Sequence, residues 1–182
     1  THEGLLAHYG AIAQDGRLPV IIYNVPGRTG LNMAPQTLGE LSRLPQVIGM
    51  KEASGDMIRL ADMMRLCEGR IAFYSGSDEV IVPLMALGGL GVISVLSNVA
   101  PAETVRMTGA MLARDYELAA ALQLKLMPLI HALFMEVNPM PAKAGLAMMG
   151  KIRDILRLPL LPMSDKGRAV LRDELKALGL LP

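Results

Sequence analysis

Aromatic side chains and cysteine are scarce in this sequence. Tryptophan is absent from the 182 residues, phenylalanine occurs twice, and Cys67 is the only cysteine. A single cysteine excludes a disulfide framework within the chain and is typical of a reducing, cytosolic compartment. Methionine is frequent, with 14 residues, and we interpret these side chains as filling core volume that aromatic residues would otherwise fill. A soft-metal or promiscuous binding surface is the alternative interpretation.

The sequence also lacks a strong excess of charge and a long apolar run. Its net charge is +1, so nothing indicates a nucleic-acid partner or an anionic membrane surface. No window approaches about 18 uninterrupted apolar residues, and residues 1–4 are neither basic nor apolar, so we expect no membrane span and no signal peptide. The three histidines lack metal-ligand spacing, and we expect no metal site and no cofactor. The single cysteine and the lack of a membrane span and a signal peptide lead us to expect a cytoplasmic location.

Short apolar runs alternate with longer amphipathic runs in the first half of the sequence. The apolar runs are 19–23, 47–50, 71–74 and 91–95. They are apolar on both faces and rich in β-branched residues, which is typical of parallel strands covered on both sides. Repeated βα units predict a doubly wound sheet or half of a (β/α)8 barrel, since a whole barrel needs roughly 250 residues. In a barrel, the inward face is expected to include Ile22, Ile48 and Ile93.

After the fourth apolar run the pattern becomes entirely helical. Helices are predicted to start at Pro101, because proline favours the first turn, and at Asp115, because aspartate favours the N-cap. Further N-caps are predicted at Asp56 and Ser164. We therefore predict two domains, an α/β domain with four parallel βα units over 1–114 and an all-helical domain over 115–182.

Lys51 is the charged residue whose position stands out. It directly follows the apolar run Val47-Ile-Gly-Met50, at the carboxyl end of a predicted buried strand, where α/β folds build their active sites. Apolar surroundings at that position favour the neutral amine, and a neutral amine attacks ketones to form Schiff bases. The alternative is an ordinary strand-end lysine that forms an ion pair with its neighbour Glu52.

Two further residues are predicted at the same edge of the sheet. Tyr23 ends the preceding strand, and its phenol could transfer protons during Schiff-base chemistry; an aromatic residue that only covers the core is the alternative. The turn signal Pro26-Gly27 places Arg28 near this edge, where its guanidinium suits a substrate carboxylate. The alternative for Arg28 is a solvated loop arginine. The glycine-rich stretch 87–91 precedes a strand and lacks the phosphate-loop lysine, so we do not interpret it as a phosphate site.

Four stretches of the sequence resemble those of a known family. They are YNVPGRTG (23–30), GMKEASGD (49–56), YSGSDEVIVPLMALGGLGVISV (74–95) and NPMPAKAGL (138–146). In order and spacing they resemble the dihydrodipicolinate synthases of the pyruvate-dependent class I aldolase and N-acetylneuraminate lyase superfamily. The resemblance implies the C-terminal half of a TIM (β/α)8 barrel, strands five to eight, with a small helical C-terminal domain and a homotetrameric assembly.

The resemblance also implies a reaction and a set of site residues. The family condenses pyruvate, held as a Schiff base, with aspartate semialdehyde to form 4-hydroxy-tetrahydrodipicolinate in the diaminopimelate route to lysine. Lys51 matches its Schiff-base lysine, Tyr23 its proton-relaying tyrosine, and Arg28 the arginine that binds the carboxylate of the aldehyde. Ile93 matches a residue whose backbone contacts pyruvate.

The resemblance leaves two alternatives and adds one expectation about the chain. Sialic-acid and keto-sugar-acid lyases share the fold, although the loop around Arg28 favours a synthase; a non-catalytic remnant that only binds or assembles is the second alternative. The family's first four βα units, with a threonine pair and an interface tyrosine, correspond to nothing in this sequence. We therefore expect the 182-residue chain alone to be inactive as a synthase and to self-associate.

Overall fold

The computed structural model describes residues 1–182, which form two compact units, Thr1–Ile93 and Ser94–Pro182. Helices and strands alternate in the first unit. Its elements are α1 (His2–Gly16), β1 (Val20–Asn24), α2 (Pro26–Thr29), α3 (Pro35–Leu41), β2 (Val47–Glu52), α4 (Met57–Cys67), β3 (Ala72–Ser75), a 3-10 turn (Asp78–Val80), α5 (Ile81–Ala86) and β4 (Gly91–Val92). The second unit contains only helices. They are α6 (Leu96–Val99), α7 (Pro101–Leu112), α8 (Tyr116–Phe134), α9 (Met140–Met148) and α10 (Asp165–Ala177).

The first unit is built on one parallel sheet. Its strands pair in the order β1-β2-β3-β4, and every pair is parallel. Parallel neighbours need a crossover connection, which helices provide between each pair of strands here. The prediction of an α/β fold with four parallel strands is thereby confirmed. The register aligns Tyr23, Lys51 and Tyr74 in one row across three strands, and we call these residues the strand-end row.

Helices cover one face of this sheet. Ile22, Met50 and Phe73 are at most 5% exposed and belong to a core cluster that also contains Leu38 of α3 and Leu60 of α4. Burying side chains of this size contributes roughly 1.5–3 kcal/mol each. Since successive strand residues point to opposite faces, the strand-end row lies on the other face, which no helix of this unit covers.

One residue of the predicted inward face was assigned wrongly. Ile22 is 1% exposed and packs under the helices, whereas Ile48 and Ile93 remain exposed. The pairing of β1 with β2 shifts between Val20 and Ile21. Because the runs are apolar on both faces, they contain no alternation that would reveal which residues point inward.

The fourth strand is shorter than predicted. It spans Gly91–Val92 instead of 91–95, because its pairing with β3 ends where Ser75 meets Val92. Val95 already has helical backbone angles (φ −84°, ψ −43°) and directly precedes α6. The predicted N-caps are confirmed. Each cap side chain accepts a hydrogen bond from the backbone N–H three residues later, and these caps are Asp56, Asp115 and Ser164.

The second unit is a packed group of helices. Its longest helix, α8, packs on α7 and α10, and α9 also packs on α10. Met107, Leu126 and Leu171 are fully buried in it. The predicted boundary after residue 114 falls inside this unit, because α7 packs with the helices that follow it. The assignment of 1–114 and 115–182 to two domains stays a prediction.

By length and composition alone, α8 is long and apolar enough to cross a membrane. The expectation of no membrane span rests on the lack of an uninterrupted apolar run, and Lys125 interrupts the run within this helix. Leu122, Leu126, Leu129 and Leu133 are buried against the rest of the second unit. Spacings of three and four residues put them on one side of the helix, so packing within the unit accounts for the apolar character of α8.

Candidate active site

Lys51 and Tyr23 meet on the uncovered face of the sheet. They are paired in the β1–β2 register, and the Nζ atom of Lys51 lies 4.0 Å from the centroid of the Tyr23 ring. An ammonium group at this distance is attracted by the electron-rich face of the ring. Lys51 is partly buried and Tyr23 is exposed. An amine and a phenol therefore lie together at the edge where parallel strands end, which is where α/β proteins bind ligands.

The side chain of Glu52 is directed away from Lys51. As the next residue of the strand it points to the opposite face, where it is 3% exposed. Its Oε2 atom accepts a hydrogen bond from Nδ2 of Asn24 at 2.9 Å, and its Oε1 atom accepts one from the backbone N–H of Ser54 at 2.5 Å. The ion pair between Lys51 and Glu52, the alternative in the sequence analysis, is not the arrangement adopted.

Gly76 leaves room for the Lys51 side chain, and sequence reasoning missed this residue. It follows β3, and its N–H donates to the carbonyl oxygen of Glu52 at 2.6 Å. A Cβ atom on Gly76 would lie 2.7 Å from Cβ of Ala53 and 3.0 Å from Cε of Lys51. A side chain at this position would therefore compete with the lysine for space. The one available signal was a glycine directly after a predicted strand.

Arg28 lies in the short helix α2, which starts just after β1. The helix is closed by the N–H of Gly30, which donates to the carbonyl of Pro26 at 2.9 Å. Gly30 has φ 70°, a conformation that side-chain-bearing residues seldom adopt. The predicted turn is thus confirmed as a helical turn. Arg28 is exposed and follows the carboxyl end of β1, beside the strand that carries Lys51.

Ile93 directly follows the fourth strand. Its backbone N–H donates to the carbonyl of Ser75 at 2.8 Å, so this N–H is used in holding the end of β4 to β3. A backbone contact from Ile93 to a ligand would therefore come from its carbonyl oxygen. Its side chain is exposed.

The structure brings two of the four predicted site residues into contact. Lys51 and Tyr23 touch, while Arg28 and Ile93 follow the carboxyl ends of β1 and β4. An amine can add to a carbonyl carbon, a phenol can transfer a proton, and a guanidinium can hold a carboxylate. These are the groups needed to convert an oxo-acid into a bound imine.

Comparison with known proteins identifies the family. Residues 1–178 match the dihydrodipicolinate synthetase family. Because this match covers nearly the whole chain, the chain belongs to that family, and the resemblance found in the sequence is confirmed.

Individual relatives are similar along the full chain. A 4-hydroxy-tetrahydrodipicolinate synthase from Thermoanaerobacter sp. (strain X514) is 48% identical over 182 residues, which are 100% of this chain and 61% of the relative. The crystal structure of dihydrodipicolinate synthase from Thermotoga maritima is 42% identical with a TM-score of 0.97, covering 100% of this chain and 63% of that one. The chloride-inhibited enzyme from Acinetobacter baumannii, complexed with pyruvate, is 41% identical with a TM-score of 0.96, covering 100% and 62%.

The chain spans about three fifths of the length of these relatives, 61% for the Thermoanaerobacter synthase. The fold of the described residues is thus that of solved dihydrodipicolinate synthases.

Proposed function

We propose that the protein carrying this sequence is a dihydrodipicolinate synthase of lysine and diaminopimelate biosynthesis. Its substrates would be pyruvate and aspartate semialdehyde, and its product 4-hydroxy-tetrahydrodipicolinate. The observation that carries the proposal is the contact of Lys51 Nζ with the Tyr23 ring, 4.0 Å from its centroid. Family membership and the 48% identity to a curated synthase support it.

Lys51 performs the first step of the proposed reaction. Its unprotonated amine adds to the keto carbon of pyruvate to form a carbinolamine, which loses water to give a protonated imine. The imine withdraws electrons, so a methyl proton can leave and an enamine forms. Tyr23 lies against the amine and is the group that supplies and removes protons at the carbinolamine stage.

Arg28 acts in the second step. The enamine carbon attacks the aldehyde carbon of aspartate semialdehyde. A new carbon–carbon bond forms, the carbonyl oxygen takes up a proton to become the hydroxyl group of the product, and the lysine nitrogen becomes an imine again. The amino group of that substrate then displaces the lysine from the imine carbon, which closes the ring and regenerates the Lys51 amine. Arg28 binds the carboxylate of the aldehyde substrate through its planar pair of N–H donors, and the backbone of Ile93 contacts pyruvate.

The same proposal covers architecture and assembly. We assign β1–β4 to strands five to eight of a (β/α)8 barrel and residues 115–182 to its helical C-terminal domain. Within the described sheet β1 and β4 each have a neighbour on one side only, whereas a closed barrel gives every strand two. Synthase activity then requires the part of the relatives' length that this chain does not span. The full-length protein in this proposal is cytoplasmic and assembles as a homotetramer.

Reductive trapping tests the Schiff base directly. In a chain of the relatives' full length that carries this sequence, pyruvate plus borohydride should leave a stable mass adduct on the peptide containing Lys51. The Lys51→Arg variant should give no adduct, because a guanidinium stays protonated and is not a nucleophile. Lys125→Arg, an exposed lysine on α8, is the matched control and should be labelled like the unmodified protein. An adduct on another lysine, or none, refutes the proposal.

A further inference from the structure

A buried hydrogen-bond network lies behind the candidate site, on the covered face of the sheet. Asn24 and Glu52 end β1 and β2, are paired in register, and are each 3% exposed. The Asn24 Nδ2 atom donates to Oε2 of Glu52 and to Oδ1 of Asn32, both at 2.9 Å. The Asn24 Oδ1 atom accepts from the backbone N–H of Met33 at 3.0 Å.

The partners fix the orientation of the Asn24 amide. The N–H of Met33 can only donate, so the oxygen of the amide must face it. A carboxylate only accepts, so the nitrogen must face Glu52. Both amide hydrogens are then used. The second oxygen of Glu52 holds the N–H of Ser54, so reversing any one group leaves a buried polar atom without a partner, which costs about 1–3 kcal/mol.

This network closes the loop that carries Arg28. The chain leaves β1 at Asn24, passes through α2, and returns at Asn32 and Met33, where both residues bond to the Asn24 side chain. Glu52 anchors that side chain to β2, one residue beyond Lys51. The loop position is therefore set from the strand that carries the amine.

We propose that Asn24 and Glu52 are positioning residues that hold the Arg28 loop in register with Lys51, and so determine how the carboxylate of the second substrate is bound. The effect on binding of the second substrate rests on the proposed function. The role of the two residues in holding the loop does not. Neither side chain needs to touch substrate, because both lie on the face opposite the strand-end row.

Three variants of the full-length protein test this positioning role. Glu52→Gln keeps the size but places an N–H donor against either Asn24 or the N–H of Ser54. Asn24→Asp removes both amide donors and sets two carboxyl groups against each other. The exchange variant N24D/E52Q restores one donor and one acceptor between the two positions. Glu117→Gln, at an exposed site on α8, is the matched control.

Steady-state kinetics and pyruvate trapping separate positioning from chemistry. Each single variant should raise the KM for the aldehyde by about tenfold or more, the scale of one lost hydrogen bond to a charged group. Borohydride trapping of pyruvate on Lys51 should stay within about threefold, because that step does not use Arg28. In the N24D/E52Q variant the KM should fall most of the way back to that of the unmodified protein. The control should match the unmodified protein.

Amide hydrogen exchange over residues 28–33 provides a readout independent of turnover. The amide hydrogens of this loop should exchange faster in both single variants and slow down again in the N24D/E52Q variant. If the unmodified protein fails to trap pyruvate, the proposed function is wrong. Hydrogen exchange in the loop then decides alone whether Asn24 and Glu52 hold the Arg28 loop. Three results would each overturn the positioning role. They are unchanged hydrogen exchange in the loop, an N24D/E52Q variant whose KM and loop exchange are no closer to the unmodified values than those of the single variants, and a lowered Tm with an unchanged KM.

Discussion

The two faces of the parallel sheet are made from alternating residues of the same strands, yet they differ in how their polar groups are satisfied. On the covered face, apolar side chains such as Ile22 and Met50 are followed at the strand ends by Asn24, Glu52 and Ser75. All of these are buried. On the uncovered face the strand-end row presents two phenols and an amine, with Tyr23 remaining 45% exposed.

This difference reflects the cost of burial. A polar group under the helices must be hydrogen-bonded within the protein, since water cannot reach it. Asn24 and Glu52 meet this requirement through each other and become part of the framework. Lys51 meets only an aromatic face, a weak attraction that a substrate can replace. The apolar core of the covered face should therefore control stability, and the side chains of the uncovered face should carry out the chemistry.

The largest expected effect is on the uncovered face. Tyr23→Phe in the full-length protein should lower kcat by roughly 10²–10⁴-fold, the usual contribution of a general acid or base. The change removes one oxygen atom and preserves the ring, so Tm should change little. Steady-state kinetics beside a thermal melt measure both. An unchanged kcat would remove Tyr23 from the proton relay.

The second effect belongs to the covered face. Met50→Ala should lower the free energy of unfolding by about 2–5 kcal/mol, because it deletes a buried side chain and leaves a cavity. Pyruvate trapping per folded molecule should persist. Ile58→Ala, at a side chain that is 82% exposed on α4, is the control and should stay within about 0.5 kcal/mol. Equal losses in urea titrations of the two variants would contradict the assignment of the core to this face.

Gly76→Ala should affect both stability and chemistry, because Gly76 lies beside the side chain of Lys51. Its new methyl group would lie 3.0 Å from Cε of Lys51 and 2.7 Å from Cβ of Ala53, so neighbouring atoms must shift, at a cost of about 1–3 kcal/mol. We expect slower pyruvate trapping together with this loss of stability. Gly10→Ala in α1, where a Cβ atom meets nothing within 4 Å, should trap normally. If both variants trap at the unmodified rate, Gly76 does not shape the lysine site.

The sequence predicted those features that depend on local pattern. The short, bounded apolar run before Lys51 predicts its position at a strand end, and the residue type and position of Asp56 predict an N-cap. Features that depend on pairing between strands were missed. Ile22 is buried under side chains from helices that lie far from it in the sequence, the pairing of β1 with β2 shifts between Val20 and Ile21, and the bond between Asn24 and Glu52 joins residues 28 positions apart.

The smallest expected effect concerns the N-cap of α4, and Cys67 at the end of the same helix can report it. Cys67 is fully buried, and burial raises the pKa of its thiol. Since the thiolate is the reactive form, labelling by a thiol reagent requires opening of the core. Asp56 accepts a hydrogen bond from the N–H of Arg59 at 2.9 Å. Asp56→Ala should cost about 0.5–2 kcal/mol, which corresponds to labelling roughly 2- to 30-fold faster.

Asp62→Ala is the matched control for this cap. It makes the same substitution in the same helix but removes only an exposed ion pair with Arg65, at 3.4 Å. Such a pair contributes about 0.2–0.5 kcal/mol, so labelling of Cys67 should accelerate by little more than twofold. Tyr23→Phe, on the uncovered face, should leave the labelling rate unchanged. If Asp62→Ala accelerates labelling as much as Asp56→Ala, the cap bond contributes nothing specific. If Tyr23→Phe accelerates it, the two faces are not the separate determinants of chemistry and stability that their burial indicates.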